Sequence, residues 1–186
     1  MKMSPRRFGA LLVPFVLLFG LLANQSPASA SHVTGNHWAH DGLAHSQIYF
    51  VDHTPAFWPV SSSVYKWNEA RGVDSYYNWA NCPNTRLHCV DVYEYLNDDG
   101  NYGVTYRSVS GGHYTSATVY LSRVRVTNSH QARKTTCHEL GHALGLEHRT
   151  VSSSCMRQGN AVELNISRYP DTHDFDALHA LYNHAN

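Results

Sequence analysis

The 186-residue chain has no surplus of charge of either sign: 14 Lys and Arg stand against 14 Asp and Glu. A nucleic acid or an anionic membrane calls for a basic excess, so neither is expected as a partner. None of the four cysteines forms a Cys-x2-Cys pair, which argues against a thiolate zinc site. No apolar run is long enough to span a bilayer, because Phe8 to Ala23 is short and is broken by Pro14 and Gly20. No internal repeat, linker or low-complexity tract follows residue 30, so one domain is expected rather than an array. Charged residues are scarce, 15% against 42% hydrophobic, which suits a compact globular chain and excludes a disordered or fibrous one.

What is present begins with an export signal. Lys2, Arg6 and Arg7 precede the apolar stretch, and Ala28-Ser29-Ala30 has the small-x-small form of a signal-peptidase site. Residues 1–30 are therefore read as a signal peptide, and 31–186 as one secreted, extracellular domain, expected to be a monomer free of the membrane once cleaved. An uncleaved anchor is the alternative, which the shortness of the run disfavours. Loss of Lys2, Arg6 and Arg7 leaves 11 basic against 14 acidic side chains, a net charge of −3. An even number of cysteines in an exported chain reads as two disulfides. Three pairings are open; Cys82–Cys89, around Pro83, with Cys137–Cys155 is the favoured one.

A coarse pass predicts a strand over Ser46 to Asp52, a Ser-capped helix over Ser61 to Ala70 ended near Gly72, and a strand over Cys89 to Leu96. Asn97-Asp98-Asp99-Gly100 is a turn signal, and Gly103 to Ser108 resumes as a partner strand. After a break at Gly111-Gly112, Thr115 to Val126 alternates, with Val119 and Leu121 on one face and Thr118 and Tyr120 on the other. Asn128 or Ser129 can cap a helix from about His130 to Leu144. Phe175, Leu178 and Leu181 mark an amphipathic helix over Thr172 to Tyr182. The fold class is α+β, an α/β-like sandwich.

Histidine is abundant, with 14 copies, and three of them fall in one motif. Residues 138–148 read His-Glu-Leu-Gly-His-Ala-Leu-Gly-Leu-Glu-His. Positions four apart share a helix face, so His138 and His142 can aim two imidazoles at one ion while Glu139 stands beside it without ligating. Gly145 is placed to end the helix in a left-handed conformation, which lets His148 return as a third ligand. Three neutral imidazoles and one open position is how catalytic zinc is commonly held. At this composition His-Glu-x-x-His alone arises by chance about 0.03 times, and the motif extended through Gly145 and His148 about once in ten thousand. Surface histidines on an amphipathic helix leave the glycine and the third histidine unexplained.

His138-Glu139-x-x-His142-x-x-Gly145-x-x-His148 followed by Met156 resembles the metzincin clan of zinc metalloendopeptidases, and the small size is similar to secreted bacterial matrixin-like peptidases. The resemblance implies a twisted mixed sheet of about five strands with an active-site helix, a backing helix and a C-terminal helix. It implies a zinc-dependent endopeptidase of proteins or peptides, with one catalytic Zn2+ on His138, His142 and His148, a zinc-activated water, Glu139 as general base and Met156 as an apolar floor. Gln158 stands where some members carry a zinc-touching tyrosine, so no tyrosine role is carried over. No cysteine lies between Ala30 and the first strand to hold the zinc in a latent form. If helix and methionine turn meet at the zinc, Cys137 and Cys155, which immediately precede His138 and Met156, become neighbours, and their bond would lock the two together.

Other residues compete for attention. His37, His40 and His45 are candidates for lining a groove or binding a second ion, and His113 for bordering the cleft. Asp91, Asp98 and Asp99 are candidates for calcium, although a hairpin turn explains Asn97 to Gly100 more simply. Asp174 and Asp176 stand in the first turn of the last helix, where negative charge is favoured anyway. The alternative function is a non-catalytic zinc-binding module on a metzincin scaffold, against which the presence of Glu139 speaks.

Overall fold

A computed structural model describes residues 32–79, 81–83 and 88–184; the leader read at 1–30 lies outside the described residues. The elements are β1 (Ser46–Asp52), α1 (Val60–Trp67), β2 (Val73–Trp79), β3 (His88–Tyr95), β4 (Gly103–Ser110), β5 (His113–Ser122), α2 (Ser129–Ala143) and α3 (Thr172–Tyr182). The five strands form one sheet in the order β2-β1-β3-β5-β4, all parallel except β4, which runs antiparallel to β5. This is the α+β arrangement expected from the sequence.

Alternation places the core. Phe50, Val90 and Ala117 are aligned across β1, β3 and β5, followed by Val92 and Val119, and all are buried. Thr118 and Tyr120 occupy the opposite face of β5, where Tyr120 stacks on Tyr93 with ring centroids 5.8 Å apart. Helices α1 and α2 pack together, fixed by a hydrogen bond from Trp67 Nε1 to the Cys137 carbonyl at 3.0 Å. Trp38 Nε1 donates to the Ala143 carbonyl at 2.9 Å and so anchors the chain's N-terminal segment to the end of α2.

The structure departs from the sequence reading in three elements. Strand β2 is not visible in the sequence pattern: Asp74, Ser75 and Asn78 interrupt its apolar alternation, because it lies at a sheet edge and only Val73 and Ser75 are buried. The α1 helix starts at Val60 behind Pro59 with no side-chain cap, so the serines do not cap it, and it ends at Trp67 rather than Ala70. Strand β5 stops at Ser122, where the Ser122 hydroxyl accepts from Arg125 N at 3.3 Å and the chain turns before Val126. Among the described residues no helix is long and apolar enough to cross a membrane.

Candidate active site

Helix α2 starts at Asn128, whose side chain accepts from Gln131 N at 2.9 Å. It ends in a reversal: Gly145 N donates to the His142 carbonyl and Leu146 N to the Gly141 carbonyl, both at 3.0 Å, with Gly145 at φ +108°. This brings His148 back over the helix end. A Cβ at Gly145 would stand 2.7 Å from Leu181 Cδ2 and 3.0 Å from the Asn36 carbonyl. Gly145→Ala therefore combines a left-handed backbone with overlap and is expected to cost more than about 2 kcal/mol, read as a lower urea midpoint.

The three histidines converge. His142 Nε2 is 3.1 Å from His138 Nε2 and 3.1 Å from His148 Nε2. On the far side of the rings, His138 Nδ1 lies 2.8 Å from the Cys155 carbonyl and His142 Nδ1 lies 2.7 Å from the Leu146 carbonyl. A carbonyl only accepts, so these Nδ1 atoms carry the protons and both Nε2 atoms present lone pairs. Lone pairs facing each other at this distance repel unless a cation stands among them. Tetrahedral nitrogen ligands of zinc lie about 3.3 Å from one another, so the donor set fits that ion in type and spacing. Among the described residues this is the one group of three or more histidine, cysteine or acidic side chains with donor atoms close enough to share an ion.

Burial keeps the rings neutral. It holds His138 well below the ordinary histidine value, His142 down at about 4, and His148 below the ordinary value as well. Between pH 6.5 and about 4 an unfolded chain carries a proton at position 142 that the folded, metal-free chain lacks. Unfolding then takes up protons, so acid destabilises the metal-free fold across that window. In chelator-stripped protein the Tm of wild type relative to that of His142→Gln is expected to fall as pH falls through it; an unchanging difference would contradict the assignment.

Glu139 is buried beside the triad. The Thr105 hydroxyl, on β4, lies 2.7 Å from Glu139 Oε2 and 3.0 Å from the Glu139 carbonyl. Burial raises the carboxyl to about 7, opposed by the Thr105 hydrogen bond and by the charges of Lys134 and Arg107. An adjacent divalent cation would oppose the rise further.

Met156 is fully buried under α2, and a Cβ on Gly141 would overlap its sulfur and come within 2.8 Å of Trp67 Cζ2. Glycine at 141 is what lets the methionine segment approach the helix between His138 and His142. The Cys137–Cys155 disulfide joins the same two pieces, and Cys82–Cys89 closes the second bond. The 18-residue separation of the first pair corresponds to about 3 kcal/mol of chain-entropy stabilisation. Asp174, fully buried, accepts from the Ser154 hydroxyl at 2.6 Å and from Arg149 at 3.2 Å, while Ser154 Oγ accepts from Met156 N. It thus ties α3 to the methionine segment, a role that its place in a helix's first turn did not reveal.

A cavity of about 360 Å³ lies over the triad, walled by β4 residues Gly103 to Thr105 and Arg107 on one side and by Lys134, Gln158 and Gly159 on another. The rim strand is β4; His113 is not at the cleft. It begins β5 with its ring 4.8 Å from that of His37, toward the chain's two ends. His40 and His37 instead stand near Tyr182 and His184, and His45 pairs with Asp74 at 3.3 Å, so the three early histidines do not share one ion. Asp91 pairs with His53, Asp98 with Arg125, and Asp99 accepts from Tyr95, so the three calcium candidates are dispersed. Thr105 and Gly103 are site residues that look like ordinary strand positions in the sequence.

A five-stranded mixed sheet carrying this helix and histidine triad defines a metzincin-clan zinc metalloendopeptidase. Within that clan the chain belongs to the matrixin family, whose model matches residues 58–183. Among solved structures it is similar to myroilysin at 12% identity, covering 83% of this chain and 99% of that one with a TM-score of 0.53. Two weaker likenesses are archaemetzincin from Methanopyrus kandleri (16% identity, 77% and 98% covered, TM-score 0.49) and the medaka zinc-protease hatching enzyme HCE-1 from Oryzias latipes (13%, 79% and 94%, TM-score 0.48). No curated protein matches the sequence. The likeness to myroilysin is one of fold; zinc-dependent peptidase activity follows from the family.

Proposed function

We propose that residues 1–30 direct export and are removed, and that the remaining chain is a secreted, monomeric endopeptidase of proteins or peptides. His138, His142 and His148 would hold a single zinc ion, with their Nε2 atoms as ligands. The observation that carries this reading is the convergence of those lone pairs, with the rings oriented from behind by the Cys155 and Leu146 carbonyls. Bound there, zinc supplies Lewis acidity, polarising the scissile carbonyl and lowering the pKa of attacking water toward about 7.

Glu139 is the general base. Its carboxylate accepts the water's proton at the oxygen not engaged by Thr105 and then delivers that proton to the departing amine. Thr105 holds the carboxylate in place through both steps. Met156 gives the ligand helix an apolar floor, and the Cys137–Cys155 bond keeps floor and helix in register. The test is digestion of denatured casein by mature 31–186: zinc-dependent cleavage at internal bonds is expected, abolished by a chelator and restored by zinc. Zinc uptake without cleavage would favour a non-catalytic zinc module instead.

A further inference from the structure

Gly103, Thr105 and Arg107 alternate along β4 and so face one side of it, toward α2. Two residues of strand advance about 6.7 Å and one helical turn about 5.4 Å, so successive inward positions of β4 meet successive turns of α2. Gly103 and Thr105 meet Glu139. Arg107 meets the next turn, where its Nη1 donates to the His142 carbonyl at 2.8 Å. His142 is the middle member of the three converging histidines, and its carbonyl stands at the negative end of α2, where a cation is favoured.

The other arm of the guanidinium reaches the returning loop. Arg107 Nη2 lies 3.3 Å from Glu147 Oε1, and Glu147 immediately precedes His148. The fork is itself held in place: Nη1 also lies 3.4 Å from the Tyr114 hydroxyl, and the guanidinium carbon stands 5.6 Å from the centre of that ring. Tyr114 is buried and hydrogen-bonded to Thr34, whose backbone N donates to the Gly145 carbonyl at 2.9 Å. Both terminal nitrogens are thus engaged within the protein, so Arg107 lines the cavity without being a free anchor for a substrate anion. Glu147 is 45% exposed, so water screens the ion pair and the bond to the carbonyl carries more of the clamp.

We infer that Arg107 is a positioning residue for the metal site: its planar fork holds the backbone of His142 and the loop of His148 at the separation that one shared ion needs. It acts through the two histidines rather than on ion or substrate. The inference rests on the zinc reading above. Facing lone pairs push the rings of the metal-free chain apart, and a clamp on the backbone behind them keeps the donors gathered until an ion arrives.

The test is the zinc affinity of the mature chain, by competition with a chromophoric chelator at a temperature where circular dichroism shows each stripped variant folded. Arg107→Met keeps the apolar stem and removes the fork; it is expected to bind zinc about ten- to a hundredfold more weakly, the loss typical of groups that orient metal ligands. Arg107→Gln, shorter and neutral, is the second variant and is judged in the same way. Arg107→Lys, which keeps the charge and a donor for the carbonyl but not the fork, should lie between these variants and wild type. A further readout does not follow stability: at saturating Co2+ the visible absorption of the bound ion reports the arrangement of its ligands, and it should change in Arg107→Met and move back toward wild type in Arg107→Lys. A folded Arg107→Met or Arg107→Gln with wild-type zinc affinity and a wild-type Co2+ spectrum overturns the role of Arg107 while leaving the zinc site intact. A wild-type chain that binds no zinc overturns both.

Discussion

Replacing Glu139 with Gln is expected to lower kcat/KM about a thousandfold while zinc content stays at the wild-type level, the loss a well-placed general base accounts for. Glutamine keeps the size of the side chain, and its amide oxygen can still accept from Thr105, so the pocket is preserved and proton transfer alone is removed. Glu139 is not among the three converging donors, so metal should stay. Activity with peptide substrates and zinc by plasma mass spectrometry, on the same preparation, check both halves. A fully active variant would remove Glu139 from the reaction; a variant without zinc would make it a ligand or a folding determinant.

Gly103→Ala is expected to lower kcat about a hundredfold with little change in Tm, the effect of misplacing a catalytic group by about an ångström. Gly103 lies opposite Leu121 in the sheet, in backbone that alanine also adopts. The three atoms nearest the added methyl all belong to one side chain: it would stand 2.7 Å from Glu139 Cγ, 2.9 Å from Oε1 and 3.0 Å from Cδ. A side chain gives way more easily than a strand, so the carboxylate is displaced and the fold is kept. Unchanged kcat would mean that Glu139 relaxes without leaving its working position. A large fall in Tm would mean that β4 moved instead.

These two residues mark the boundary of what the sequence makes legible. The ligand set is readable because its geometry is local: four residues return a helix face, and a glycine at a left-handed terminus returns the chain. His138, His142, His148 and Glu139 all lie within that local rule, and so does the end of α2 at Gly145. Partners supplied by the sheet are not readable in this way. Gly103 and Thr105 reach Glu139 only because β4 is the antiparallel edge beyond β5, an order that no periodicity encodes. Asp174 looked like helix-terminal charge until the fold placed Ser154 and Arg149 against it. Lys134 sits on a helical pattern that gives no sign of its burial. Strand β2 was obscured for the opposite reason: an edge strand with one neighbour tolerates Asp74 and Asn78, which blur the alternation that β1 and β5 keep.

The central claim is that His138, His142 and His148 together hold one ion, and calorimetric titration of chelator-stripped mature chain with zinc tests it most directly. The account predicts saturation at one zinc per chain and a large loss of affinity in His148→Ala, the member contributed by the returning loop. Uptake that His148→Ala leaves unchanged, or a wild-type chain that takes up no zinc, would contradict it.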